Sequence, residues 1–262
     1  MDNYERKQYR YSRLLTGIFL LFAIHANDSF AQTSPKSNPL PFNDMETLVV
    51  HKIAVPTPKA ENLPAVLDAS DAEWHQIVHV NWPEKFPYCP DVRFRIAHNG
   101  ISILLEYQVT EQQVKAEVKE DNGKVFRDAC CEFFLRPQAD GHYYNMETNC
   151  IGTMLMEVGM KRGLSREMAP AHILSRVDRW ASLANCAGPL PSGTCTWQLA
   201  LVIPCSTFFK DHIKDVSGMT MTGNFYKTGD GLDVPHYVSW SPIHTPNPDF
   251  HTPTFFGKIE FE

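Results

Sequence analysis

The residues best suited to chemistry lie in two segments that have the pattern of β-strands. In one of them, strand alternation places Asn145, Glu147 and Asn149 on the same face. The other, residues 130–135, is apolar except for Glu132, whose burial without a partner would be costly. Carboxylates and amides beside aromatic rings suit sugars, because planar rings cover the apolar C–H face while polar groups bind the hydroxyls. A solvated sheet face would give the same pattern.

The two glutamates also allow a catalytic interpretation. Glycosidases use a pair of carboxyl groups about 5 to 9.5 Å apart, and spacing in the sequence does not test that separation. The chain has no G-x-S-x-G elbow, no P-loop and no H-E-x-x-H motif. A glycoside hydrolase that uses Glu132 and Glu147 is therefore an alternative to simple binding.

No cofactor is indicated with certainty, and calcium is the one metal that the acidic residues suggest. Asp68, Asp71 and Glu73 form one group of possible oxygen ligands, and Asp230 and Asp233 form another. Ordinary turn and capping roles are favoured over calcium binding for both groups. Structural calcium is left open.

The composition is that of a globular protein with a slightly acidic surface. The chain has 262 residues, of which 43% are hydrophobic and 21% charged, and its formal net charge is -6. No run rich in Lys and Arg occurs after the first thirteen residues. The charge distribution therefore argues against a nucleic-acid partner.

The N-terminus has the layout of a signal peptide over residues 1–31. Basic residues precede an apolar stretch that is shorter than the roughly 20 residues needed to cross a bilayer. We expect an exported protein, periplasmic or extracellular, with no membrane span after cleavage. Residues 32–44 are rich in Pro, Ser and Asn and predict a linker. In an oxidising compartment, Cys186 and Cys195 could form a disulfide, although the sequence alone does not fix the pairing.

Residues 45–262 predict one all-β domain, an antiparallel β-sandwich with little helix. Short alternating or apolar runs, each bounded by Gly, Pro, Asn or Asp, predict eleven strands. A short helix is expected near residues 69–75, with Ser70 or Asp71 as its cap. The strands are predicted at residues 47–55, 92–97, 101–109, 129–135, 143–152, 154–158, 173–177, 196–203, 219–225, 237–240 and 257–261.

Five segments in sequence share their motifs and order with one protein family. They lie at residues 67–74 (LDASDAEW), 92–109, 125–134 (VFRDACCEFF), 143–152 and 224–257. This pattern resembles the family-9 carbohydrate-binding modules, a β-sandwich group also found attached to xylanases. The resemblance implies the non-catalytic binding of a polysaccharide or oligosaccharide, of xylan or cellulose type, in glycan capture or catabolism.

The resemblance also implies a ligand site. The sugar-binding members sandwich a terminal sugar between two tryptophans, and those positions fall on Phe126 and Phe250 here. The family's glutamate falls on Glu132, a polar position on the neighbouring strand on Glu147, and a loop asparagine on Asn247. Phenylalanine offers less surface than tryptophan and no N–H donor. Family members that stack a sugar carry an arginine where Glu147 stands.

The sequence is therefore compatible with three functions. The leading hypothesis is an exported carbohydrate-binding domain in which Phe126 and Phe250 stack on the sugar while Glu132, Glu147 and Asn247 bind its hydroxyls. The second is the glycoside hydrolase of the same fold. The third is a domain that retains the fold as a protein-interaction module.

Overall fold

The computed structural model describes residues 45–185 and 190–262, and most of the regular structure in them is β-strand. The predicted signal peptide and linker, together with Cys186, lie outside the described residues. The strands are β1 Thr47–Lys52, β2 His75–Gln76, β3 His79–Val80, β4 Asp91–His98, β5 Ser102–Glu111, β6 Cys130–Arg136, β7 Tyr143–Asn149, β8 Met154–Gly159, β9 Glu167–Met168, β10 Asp178–Ala181, β11 Cys195–Pro204, β12 Thr220–Thr228, β13 Tyr237–Ser239 and β14 Gly257–Phe261. The helices are α1 Leu63–Ala69 and α2 Ala171–Leu174, with 3-10 turns at Ala60–Asn62, Val125–Arg127, Cys205–Thr207 and Pro253–Phe255.

The strands form one continuous, mixed sheet whose two halves make the layers of the fold. The order is β10-β11-β5-β4-β1-β14-β12-β6-β7-β8-β9, with β13 beside β12 and β2 beside β4. Strand β1 joins the halves, because Thr47–Val50 pair with β14 while His51 and Lys52 pair with β4. Both pairings of β1 are parallel and every other strand pairing is antiparallel. The β-sandwich class is confirmed, with β1 as the departure from a purely antiparallel sheet.

Aromatic side chains from both halves fill the core. Phe94 on β4 stacks on Phe225 of β12 with 3.8 Å between ring centroids, and Phe133 of β6 stacks on the same ring at 4.8 Å. Tyr107 on β5 donates a hydrogen bond from its hydroxyl to the Glu132 carbonyl oxygen, 2.9 Å away. These side chains are fully buried, so the inner faces of β6 and β12 are fixed by packing. The outer face of β6 is thereby left for the functional site.

Two local predictions are wrong. Residues 173–177 are not a strand: after Pro170 in extended conformation the chain makes the single helical turn α2, which buries the consecutive residues Ile173 and Leu174. The first helix precedes the expected position, because Ser70 stands at the C-terminal end of α1 and donates from its hydroxyl to the Leu67 carbonyl. Asp71 then adopts a φ of 52°, which ends the helix.

Three of the acidic residues considered for calcium, Asp68, Asp230 and Asp233, have other hydrogen-bond partners. Asp68 accepts a hydrogen bond from Arg95 at 2.6 Å, and Arg95 also contacts the buried Glu106 at 2.7 Å. Asp230 accepts from the Tyr237 hydroxyl. Within residues 45–185 and 190–262, no three His, Cys, Asp or Glu side chains form a group that could hold a metal ion.

Candidate functional site

A cavity of about 550 Å³ opens over the outer face of β6, β7 and β8, and four of the five predicted site residues line it. They are Phe126, Glu132, Glu147 and Phe250. Cavities of about 300–1,000 Å³ are typical of small-molecule sites. The expectation that β7 presents Asn145 and Glu147 on one face is confirmed, because the Asn145 amide donates to the Glu147 carboxylate at 2.8 Å.

Glu132 and Glu147 form the bottom of the cavity. They stand directly opposite each other on β6 and β7, and each is only 3% exposed. Burial raises the pKa of Glu132 well above its usual range, and the neighbouring Glu147 carboxyl raises it further. Burial also raises the pKa of Glu147, to about 7, against the opposing effect of the Asn145 hydrogen bond. At neutral pH the pair therefore retains a proton on Glu132, whose carboxyl group can donate as well as accept hydrogen bonds, while Glu147 can still accept them.

A hydrogen-bonded chain of side chains links this floor to the β8–β9 hairpin. Arg166 donates to the Asn145 amide oxygen, and its Nε donates to Glu157 at 2.9 Å. The Arg166 guanidinium lies 4.8 Å from the centre of the Tyr143 ring. Two polar atoms of these side chains have no hydrogen-bond partner within residues 45–185 and 190–262, namely Arg166 Nη1 and Glu147 Oε2. Orphaned buried polar atoms are unfavourable, so their presence beside a cavity is a functional signal.

A glycine permits the close approach that brings Arg166 to the floor. A Cβ atom on Gly159 would lie 2.8 Å from the Ser165 carbonyl oxygen and 2.9 Å from the Arg166 Cγ. Only glycine therefore fits at the end of β8 without displacing the returning segment. The hairpin carries a second arginine, Arg162, which donates to Asp249 at 2.8 Å across the rim of the cavity.

Phe126 stands on the 3-10 turn Val125–Arg127 and is half-buried. The Asp230 backbone N–H donates to the Phe126 carbonyl at 3.2 Å, and the Tyr237 hydroxyl donates to the Asp230 carboxylate. These three residues all line the cavity. The cavity wall thus presents two aromatic side chains, Phe126 and Tyr237, on a hydrogen-bonded support.

Phe250 is held more firmly than Phe126. Its ring lies flat on Tyr226, with 4.1 Å between centroids and 8° between planes, and it is 6% exposed. Trp82 lies 6.2 Å away, and Tyr237 meets the Phe250 ring edge-on at 6.1 Å. Tyr226 therefore covers one face of the Phe250 ring, and much of this side chain belongs to an apolar cluster beneath the cavity.

Asn247 is the one predicted site residue that does not line the cavity. It is exposed, and its amide oxygen accepts from Lys85 at 3.1 Å. Its neighbours Pro248 and Asp249 reach the cavity in its place. Its role in ligand binding stays a prediction.

Sequence reasoning missed several residues of the site: Tyr237, Asp230, Asp249, Arg162 and Arg166. The two arginines lie in a charged hairpin, which reads as an ordinary solvated surface. The signal that could have found them is the pair Gly159 and Gly163 around a charged tip, since it predicts a tight hairpin immediately after a strand.

Fold and cavity together define a β-sandwich domain with an open cavity on the outer face of one half of the sheet. The chain belongs to carbohydrate-binding family 9, whose sequence profile matches residues 61–261. The chain is also similar to a candidate carbohydrate-binding protein from Bacteroides uniformis, of known crystal structure. The two share 44% sequence identity with a TM-score of 0.79, over 83% of this chain and 100% of that one. The family resemblance seen in the sequence is confirmed.

Two further solved structures share the fold at low sequence identity. They are a family-9 carbohydrate-binding module from Caldicellulosiruptor kristjanssonii in complex with glucose and the same kind of module in complex with cellotriose. Each is 14% identical with a TM-score of 0.53 over 83% of this chain, and the match covers 96% and 94% of those chains. No curated protein matches the chain.

Proposed function

We propose that the cavity binds a carbohydrate and does not cleave it. The observation that carries the proposal is the floor of the cavity, where Glu132 and Glu147 lie side by side below the half-buried ring of Phe126. Paired carboxyl groups can bind sugar hydroxyls, and an aromatic wall can cover the apolar face of a pyranose. Membership of carbohydrate-binding family 9 supports the same function.

The ligand we propose is an oligosaccharide or polysaccharide of cellulose or xylan type. This choice is supported by the fold relatives in complex with glucose and cellotriose. In this site Phe126 would stack on the sugar, and Phe250 would contribute the one ring face that Tyr226 leaves uncovered. Glu132 and Glu147 would bind hydroxyl groups, and Asn247 would contact a part of the ligand outside the cavity.

The arrangement of the two glutamates favours binding over hydrolysis. Side chains directly opposite on antiparallel strands have Cβ atoms about 4.5–5.5 Å apart and project to the same side. Glycosidases instead place their two carboxyl groups on either side of the scissile bond. Here both carboxyl groups lie on the floor of the cavity and would contact a ligand from the same side.

We also propose that the protein is exported after cleavage near residue 31. The support is the basic and then apolar composition of residues 1–31. Among the described residues no helix is long and apolar enough to cross a membrane. N-terminal sequencing of the protein from its native cell fraction tests the cleavage, and an intact N-terminus in the cytoplasm would contradict it.

The direct test of carbohydrate binding is affinity electrophoresis of the purified protein in gels that contain xylan, soluble cellulose derivatives or other glycans. We expect retardation in at least one gel, and its loss in Phe126→Ala. The control is His51→Ala, because His51 is exposed, does not line the cavity and pairs through its side chain with Glu262 at the other end of the described domain sequence. Equal mobility of a folded sample in every gel would contradict the proposal.

A further inference from the structure

We propose that Arg166 and Glu147 act together as a specificity pair, which selects a neutral sugar by holding a hydroxyl group between a donor and an acceptor. This inference rests on the proposed carbohydrate-binding function and adds the two residues that select a neutral sugar over a charged one. The two residues lie on different elements, since Glu147 is in the middle of β7 and Arg166 stands just before β9.

The geometry leaves one hydrogen-bonding atom free on each residue. Glu147 uses Oε1 to accept from Asn145, and Oε2 has no donor among the residues that the structure describes. Arg166 uses Nε for Glu157 and Nη2 for Asn145, and within the same residues Nη1 has no acceptor. The Arg166 side chain is only 9% exposed, so the unpaired N–H is not a solvated surface group. Both residues line the cavity.

Asn145 connects the free atoms into one unit. Its amide nitrogen donates to Glu147 and its amide oxygen accepts from Arg166, so both polar atoms of the amide are used within the chain of side chains. The orientation of the amide is therefore fixed by its two partners. A ligand that enters the cavity meets an acceptor from Glu147 and a donor from Arg166, both already oriented by the same residue.

Among hydroxyl, carboxylate and ammonium groups on a sugar, only the hydroxyl satisfies both atoms. A hydroxyl group donates one hydrogen bond and accepts others, so it can donate to Glu147 and accept from Arg166. The carboxylate of a uronic acid only accepts and would face the Glu147 carboxyl, whereas the ammonium of an amino sugar only donates and would face the guanidinium. Each charged group would leave one buried partner unsatisfied, and such mismatches dominate selectivity.

The charges around the cavity act in the same direction against acidic sugars. Arg162 is paired with Asp249 and Arg166 with Glu157, so neither arginine is a free cation for a ligand carboxylate. Outside these two pairs, most of the charged residues that line the cavity are acidic. They are Glu132, Glu147 and Asp230, against the single basic residue Lys124.

The test compares three ligand classes on the full protein and on two variants. The probes are cello- and xylo-oligosaccharides, oligoglucuronates with oligogalacturonates, and chitosan oligomers, all printed on one array. We expect the wild-type protein to prefer the neutral class over both charged classes by about tenfold or more. Glu147→Gln keeps an acceptor for Asn145 but replaces Oε2 with a donor. The site then offers two donors, and the preference for neutral over uronic ligands should fall by about tenfold.

The second variant acts on the other half of the pair. Arg166→Met removes the donor, and the preference for neutral over amino-sugar ligands should fall by about tenfold because the repulsion of an ammonium is gone. The matched control is Arg176→Met, which removes the same charge from an exposed side chain that does not line the cavity and that donates to the Ser206 carbonyl at 2.7 Å. Its selectivity should stay within about threefold of wild type.

Each outcome of the array decides between the two claims. Unchanged selectivity in Glu147→Gln and Arg166→Met proteins, with melting temperatures that show a folded domain, would overturn the specificity pair while leaving carbohydrate binding in place. A wild-type preference for a uronic or amino-sugar ligand would overturn it as well. Binding to no glycan on the array would contradict the proposed function and this inference together.

Discussion

Glu132 on β6 and Glu147 on β7 occupy facing positions of two adjacent antiparallel strands, and both carboxyl groups are buried at the bottom of one cavity. Among the described residues, neither carboxylate has a salt bridge to a Lys, Arg or His side chain. A pair of this kind is costly unless a proton is retained or a ligand supplies hydrogen bonds. The buried carboxyl pair is therefore unfavourable by itself, and the hydroxyl groups of a polyol would supply the missing hydrogen bonds.

The carboxyl pair should make the stability of the domain depend on pH. The pKa of Glu147 is raised from its usual 4.5 to about 7, so the native state binds a proton more tightly than the unfolded chain. The resulting cost is absent below about pH 4.5, grows as the pH rises, and is complete above about pH 7. Relative to wild type, Glu147→Gln should gain stability across that window, on the order of 3 kcal/mol.

Urea unfolding of both proteins at a series of pH values measures this difference. Asp249→Asn is a suitable control, because that carboxylate lies at the rim beside Arg162 and not in the buried pair. The prediction is contradicted if the free energies of unfolding of wild type and Glu147→Gln run parallel from pH 4.5 to 7. Burial of Glu147 would then carry no cost of ionisation.

The fully buried ion pair of Lys227 and Glu111 should be essential to stability. The two charged groups lie 2.8 Å apart, Trp197 donates to the other Glu111 oxygen at 2.7 Å, and His236 contacts the Lys227 amine at 2.8 Å. Lys227→Met leaves the carboxylate buried without its partner, which costs about 3–5 kcal/mol.

A double-mutant cycle separates the pair from its surroundings. Lys227→Met combined with Glu111→Gln retains the acceptor for Trp197 and removes the orphaned charge, so the double variant should be more stable than Lys227→Met alone. Additive losses of free energy in the two single variants would show that the groups do not interact.

The two phenylalanines should respond differently to truncation. Phe126 is half-buried at the cavity wall, so Phe126→Ala should abolish ligand retardation and shift the melting temperature little. Phe250 is 6% exposed and stacked on Tyr226, so Phe250→Ala should cost about 3 kcal/mol or more. Calorimetric melting with affinity electrophoresis of the same samples tests both.

Polar substitution of both phenylalanines also addresses the protein-interaction hypothesis. A ligand site at Phe126 loses its ligand when that ring is replaced, with the fold intact. If Phe126→Ser destabilises the domain as much as Phe250→Ser does, the ring serves the packed edge of the sandwich and the stacking role is wrong.

The hydrolase hypothesis makes its own prediction about Glu132. If the protein only binds, incubation with xylan or cellulose oligomers releases no reducing sugar, and Glu132→Gln changes affinity alone. Steady release by the wild-type protein that is abolished in Glu132→Gln would identify an enzyme and contradict the binding proposal.

Much of the fold could be predicted, because alternation and turn residues mark each long strand. Residues 143–149 alternate between core and cavity, as Met146 and Glu147 show. The parallel pairing of β1 could not be predicted, because it depends on a strand that changes partners at His51. The helical turn α2 could not be predicted either, because the mixed apolar and polar residues 173–177 suit a strand equally well.

The site could be predicted only where a polar residue stands out from the alternation or the apolar composition of its own strand. A lone Glu132 in an apolar strand gives such a signal, and so does the polar face of β7. Tyr237 gave none, because its position depends on how the β12–β13 connection folds over the sheet. The glycines that flank the charged hairpin predict a tight turn, but they do not predict that Arg166 lies over the sheet. Asn247 shows the opposite case, since proximity in sequence to Phe250 did not bring it into the cavity.

The most direct test of the whole account is calorimetric titration of the purified protein with the glycan that retards it most. We predict saturable binding by the wild-type protein, weakened at least about tenfold in both Phe126→Ala and Glu132→Gln while His51→Ala is unaffected. Binding that survives both substitutions unchanged would place the ligand elsewhere on the molecule and contradict the role assigned to this cavity.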